Sequence, residues 1–190
     1  MSINNNDIRN LTGKVLLSTL FDSSSYLDKS MVYVCSHDKN GAMGIVINKP
    51  ISDIDIRNLL KSLKINNKEL ENFNIYFGGV EEIDRCFILH SDDYMSSSSS
   101  LISNHVALTV NRDILNVITA RGGPSKKLIC MGCCIWDADQ LESEVASSYW
   151  IPIDQDEALI FGDYRVDKWK KALLKIGSQT SIFSDIQGNV

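Results

Sequence analysis

The stretch MVYVCSHDKNGAMGIVINKP, residues 31–50, decides how the chain folds. Its first seven residues are rich in β-branched and aromatic side chains and read as a strand. DKNG is a turn that ends in glycine, and AMGIVIN is a second strand stopped by Pro50. The spacing predicts an antiparallel hairpin. It also excludes one chemistry. A phosphate-cradling loop needs Gly-x4-Gly-Lys-Ser/Thr leading into a helix, whose N-terminus holds the anion. Here Gly41-Ala-Met-Gly44 leads into Ile45-Val46-Ile47, a strand. The glycines are therefore read as backbone devices, for a turn and for close packing.

Outward from the hairpin, strands and helices alternate irregularly. KVLLSTL (14–20) precedes it as a buried strand. After it, Ser52 caps a helix over 53–63 with Ile56, Leu59, Leu60 and Leu63 on one face. FNIYFGGV (73–80), RCFILHS (85–91) and HVALTV (105–110) read as strands, with the serine run 96–100 as a polar, mobile surface loop. Asn111 caps a helix facing inward through Ile114, Leu115 and Ile118, ended by Gly122, Gly123 and Pro124. KKLICMGCCIW (126–136) is nearly continuously apolar, the mark of a central strand. Asp137 and Gln140 resemble a capping box for a helix running to residue 148. EALIFG (157–162) is read as a late strand, and Asp167 caps a final helix with Trp169, Leu173 and Ile176 buried and Gly177 as its stop. Without strict βαβ alternation the class is α+β: one domain over 11–177, after a flexible segment 1–10 and before a frayed tail 178–190.

The chain has 190 residues, 44% hydrophobic and 23% charged, enough for one domain with its own core. Its net charge of −5 opposes nucleic-acid binding, which needs Lys and Arg to displace counterions. No signal peptide or apolar membrane span is recognised, so a cytoplasmic location is expected.

The candidate chemistry is sparse. His37, His90 and His105 are far apart, without the paired spacing of metal ligands, and each reads first as a structural histidine bonded to nearby backbone. His37 and His90 sharing a site is the sharper alternative, since histidine titrates near neutrality. Cys130, Cys133 and Cys134 lie in an apolar strand and not at a helix N-terminus, so buried unreactive thiols are favoured over a redox pair or half a zinc site. Glu81/Glu82 lies in a turn and Glu142/Glu144 on different helix faces, and neither makes an acid/base couple. No Gly-x-Ser-x-Gly elbow exists. Arg165, Lys168, Lys170, Lys171 and Lys175 read as the solvated side of the last helix. No cofactor or metal is expected.

Three blocks carry a family resemblance: SHDKNGAMGIVINKP, GGVEEIDRCFILHS and GCCIWDADQLESEVASSYWI. In order and spacing they resemble the AlgH/YqgE family of bacterial proteins, over residues 11–177. The residues matching its motifs are His37, Gly41, Gly44, Asn48, Pro50, Gly78, Gly79, Arg85, His90, Trp136, Gln140, Leu141, Glu144 and Trp150. The chain departs from the family pattern at Val80, which replaces a proline, and at Cys86, which replaces a glycine. Cys133-Cys134-Ile135 replaces Tyr-Ala-Gly, and Asp137 and Asp139 stand where the family has glycines. The resemblance implies an α+β fold with a strongly curved mixed sheet flanked by about four helices, a cytosolic protein and, by the family's label, a link to transcriptional regulation.

Asn48, Arg85, His90, Trp136 and Gln140 are expected to line one surface cleft, because polar members of strands are unusual for packing alone and Trp and Arg are common anchors. Local roles compete: Asn48 and Gln140 as caps, Arg85 as a surface ion pair, Trp136 as core. The favoured function is a non-enzymatic binding protein that holds an unknown protein or small molecule near Trp136. The rivals are an enzyme with His37 or His90 as acid/base and Arg85 as anion clamp, and an indirect regulator of transcription.

Overall fold

The computed structural model describes residues 10–20, 24–52, 73–111, 113–120, 122–163 and 167–179. The expected helix over 53–63, Arg165, residues 1–9 and the tail from 180 lie outside them. The described elements are β1 Val15–Ser18, β2 Met31–Asp38, β3 Gly41–Val46, β4 Ile75–Phe77, β5 Glu81–Ser91, β6 Ser99–Ser103, β7 Val106–Thr109, α1 Asp113–Thr119, β8 Lys127–Trp136, α2 Gln140–Ala146, β9 Trp150–Ile153, α3 Glu157–Phe161 and α4 Lys168–Gln179.

The nine strands form a single curled sheet in the order β6-β7-β5-β8-β3-β2-β1-β9. All these neighbours run antiparallel, while β4 lies parallel to β8, which makes the sheet mixed. β8 is central, as its composition predicts. One edge bonds β5, and the other bonds first β4 (Ile129 to Met131) and then β3 (Cys134 to Trp136). Gly132 stands between those two partners at φ 75°, where a Cβ would collide with the Gly79 carbonyl. Only glycine fits such a crossing of two backbones. Opposite it, β5 bulges between Glu81 and Cys86, so residues 82–85 project from the sheet.

Both faces of the sheet are covered, which explains the near-continuous apolar runs. Val15, Leu17, Met31, Tyr33, Ile45 and Leu89 share one cluster with Ile160 of α3 and Trp169 of α4 on the concave side. Alternate residues face outward. Leu16, Val32, Val34 and Val46 pack under α2, and Ile88 and Ile129 under α1. The two ends of the sheet meet through side chains. Tyr33 Oη lies 2.7 Å from Ser103 Oγ, Ser103 Oγ donates to Gln155 Oε1 (2.9 Å), and Gln155 Nε2 donates to the Asn104 carbonyl (3.2 Å).

Several expectations are corrected. EALIFG is helix α3 and not a strand: the Asp156 carboxylate caps it by accepting the Ala158 N–H at 2.9 Å. The serine run is ordered. Ser96 and Ser99 hydroxyls bond each other, Ser99 bonds Thr109, and Ser99–Ser103 is an edge strand paired to β7. α2 begins at Gln140, not at Asp137, and only half of the capping box forms, with Gln140 Oε1 accepting the Asp137 N–H. α4 runs through Gly177 to Gln179. Trp150–Ile153 is a strand that the sequence reading missed. Lys168 is not on a solvated face: it is buried, and its Nζ donates to the Ile160 carbonyl at 2.9 Å. Burial lowers its amine to about 8, partly offset by Cys130 and Asp163.

Candidate functional site

Three elements converge beside Trp136. The residue ends β8, Trp150 opens β9, and α2 crosses between them, with Leu141 and Val145 buried and Gln140 and Glu144 one turn apart on its flank. Glu144 Oε2 accepts hydrogen bonds from both indoles, Trp136 Nε1 at 2.9 Å and Trp150 Nε1 at 2.8 Å. Its Oε1 accepts from Gln140 Nε2 at 2.9 Å. The two indole rings meet edge to face, centroids 6.0 Å apart at 80°, a favourable aromatic geometry. Gly44 makes room for this arrangement, since a Cβ there would lie 2.6 Å from Val32 Cγ1 and 3.2 Å from Trp136 Cζ3. Gly41, at φ 126°, lets the hairpin turn run against the Trp136 carbonyl.

Beside the carboxylate is a recess of about 120 Å³, walled by Tyr26, Val80, Glu81, Ile135, Trp136 and Glu144. Phe77 fixes the Tyr26 ring edge to face, with centroids 5.8 Å apart. The Tyr26 phenol is held above its ordinary range, first by burial and then by Cys134, Glu81 and Glu144. Burial, with Cys133, Glu144 and Glu81, pushes the Cys134 thiol up to about 12. The recess is thus aromatic and negatively charged.

Of the five residues expected to share a cleft, the structure brings together Trp136 and Gln140. Asn48 staples the ends of β2 and β3, accepting the Met31 N–H through Oδ1 and donating to the Lys29 carbonyl, both at 2.8 Å. Arg85 sits on the projecting bulge, 2.7 Å from Glu82 and over the Phe87 ring. His90 is fully buried, with Nε2 2.8 Å from Thr109 Oγ1 and Nδ1 2.8 Å from the Ser91 carbonyl.

His37 is also buried. Its Nδ1 accepts the Leu11 N–H at 3.0 Å. The other nitrogen lies 3.1 Å from Glu142 Oε1, out of line for a hydrogen bond. His37, Arg85 and His90 therefore have separate local partners, and among the described residues the acid/base constellation is not assembled. Gly78 and Gly79 pack against the backbone of Gly132 and Cys133, and Pro50 bridges to Tyr76. The five cysteines are free and buried, and no cluster of His, Cys, Asp and Glu suited to a metal occurs among the described residues.

Sequence reasoning missed Tyr26, Glu81 and the exposed Val80 and Ile135. Glu81 was visible only as half of a carboxylate pair. The bulge that follows it left no trace in the pattern.

A sequence profile described as AlgH-like matches residues 15–181. The chain belongs to the AlgH-like family. A UPF0301 protein of Bradyrhizobium is 36% identical over 188 residues, covering 94% of this chain and 87% of its own. One from Buchnera aphidicola is 40% identical over 152 residues, covering 78% and 80%. The solution structure of the AlgH protein from Pseudomonas aeruginosa superposes with a TM-score of 0.74 at 28% identity, over 88% of this chain and 89% of that one. A Corynebacterium diphtheriae protein shares the fold, with a TM-score of 0.65 at 15% identity over 86% of each chain. The AlgH-like fold is therefore the curled sheet described above. Among the described residues no helix is long and apolar enough to cross a membrane.

Proposed function

We propose that this AlgH-like chain is a non-enzymatic, cytoplasmic binding protein that holds a partner at the recess beside Trp136. One observation carries the reading. A wall fixed by the Glu144 bonds to Trp136 and Trp150 stands beside an apolar rim left in solvent: Tyr26 44%, Val80 43% and Ile135 50% exposed. A rigid aromatic wall next to exposed apolar side chains is the usual anatomy of a recognition surface. Nothing comparable surrounds His37 and His90, which are buried and bonded to separate neighbours, or His105, which pairs with Asp92 at the surface.

The test is partner capture with Ile135→Asp and Tyr26→Ser, both at exposed rim positions, beside Leu101→Asp as a control on the distant strand β6. The rim variants are expected to lose a partner that wild type and Leu101→Asp retain. Identical partner sets for all four proteins would overturn the reading.

A further inference from the structure

We propose that the recess receives the cationic end of a lysine or arginine side chain carried by a basic segment of a partner protein. The inference rests on the binding reading above and names the chemistry of the occupant.

Two carboxylates, Glu81 and Glu144, line the recess. Among the described residues the ion pairs join Lys14 to Asp154, Arg85 to Glu82, Lys126 to Glu157, Lys175 to Asp156, and two histidines to Glu142 and Asp92; none reaches Glu81 or Glu144. Glu144 accepts its three hydrogen bonds from neutral donors, two indoles and an amide. Those bonds hold it in place without cancelling its charge.

Size narrows the class further. A recess of about 120 Å³ suits one basic head group and part of its stem, whereas a nucleotide or drug-sized ligand fills roughly 300 Å³ or more. The exposed Val80 and Ile135 at the mouth suit the methylene stem of such a side chain. A net charge of −5 favours the approach of a basic segment to the chain.

The chain has three tryptophans, so its indole N–H resonances form a small set. Trp136 and Trp150 report on the recess, while Trp169, whose Nε1 donates to the Ser18 carbonyl at 3.0 Å, reports on the opposite face. The probes are capped pentapeptides, Gly-Ala-X-Ala-Gly, with X as lysine, arginine, acetyl-lysine or glutamate. Lysine and arginine peptides are expected to move the Trp136 and Trp150 resonances saturably, leaving Trp169 in place, and to bind at least about fivefold tighter than the acetyl-lysine peptide. Glu81→Gln is expected to weaken them about fivefold, with the Trp169 resonance unchanged as proof of folding.

Equal binding of lysine and acetyl-lysine peptides would overturn the cation assignment and leave the binding reading standing. So would the absence of any Trp136 or Trp150 response to the basic peptides. The partner-capture comparison of rim variants decides the binding reading independently.

Discussion

Asp139 holds φ 62° at the start of α2, and its side chain makes no capping hydrogen bond. A left-handed conformation costs an L-residue roughly 1–2 kcal/mol, somewhat less for aspartate. Glycine adopts it freely, and the family resemblance places glycine there. Asp139→Gly is therefore expected to raise stability by about 0.5 kcal/mol and Asp139→Val to lower it by about 1–2 kcal/mol. Urea midpoints at an unchanged m-value would measure both; a destabilised glycine variant would contradict the argument. The same scale shows what single residues disclosed in advance. Trp136 and Gln140 were singled out by the family motif, and the junction from β8 into α2 places them side by side. His90 was not. Alternation along a strand assigns a face to each residue, but it does not tell whether that face will be covered, and here Thr109 of the neighbouring strand covers it.

The β2–β3 hairpin depends on a glycine in two ways. Gly41 sits at φ 126°, and a Cβ there would overlap the Trp136 carbonyl where β3 pairs with β8. Gly41→Ala is expected to cost about 2–3 kcal/mol, combining backbone strain with separation of the two strands. Gly123→Ala makes the comparison: φ is 78°, but the nearest atom lies 3.5 Å away, so only the strain of about 1 kcal/mol remains. Thermal midpoints of the two variants would show whether contact or dihedral dominates, and equal shifts would refute the steric part. Among elements, the hairpin and β8 were readable from composition because burial on both faces demands unbroken apolar runs. EALIFG was misread for a related reason: a short apolar run carries no period long enough to separate strand from helix. The discriminating signal was Asp156, an N-cap whose carboxylate meets the Ala158 N–H.

Across the whole molecule, both faces of the sheet are covered, and one lysine is buried in the process. Burial lowers the Lys168 amine to about 8, against the 10.5 of a lysine in water. Between those two pH values the unfolded chain binds more protons, so this residue makes stability rise with pH there, and below the folded value its burial penalty is present in full. Lys168→Met removes the penalty and the bond to the Ile160 carbonyl. The stability difference between variant and wild type is expected to change by about 2 kcal/mol between pH 8 and 10.5, in favour of wild type as pH rises. The raised thiols of Cys133 and Cys134 act in the opposite direction, losing stability as pH climbs past their ordinary range, but they are common to both proteins and cancel. A difference flat in pH would show that Lys168 is solvated after all. Nothing in the sequence marked it out, because a lysine at the first turn of an amphipathic helix normally reaches water.

The two margins of the sheet are joined by three side-chain hydrogen bonds through Tyr33, Ser103, Gln155 and the Asn104 carbonyl. Together those bonds are worth about 3 kcal/mol, and the margins also share the apolar cluster that Tyr33, Val106, Leu108, Ile160 and Trp169 bury between them. The bonds therefore act as a latch on a shell that its apolar filling already closes: undoing them frees the Tyr33 and Ser103 hydroxyls without parting the side chains packed beneath.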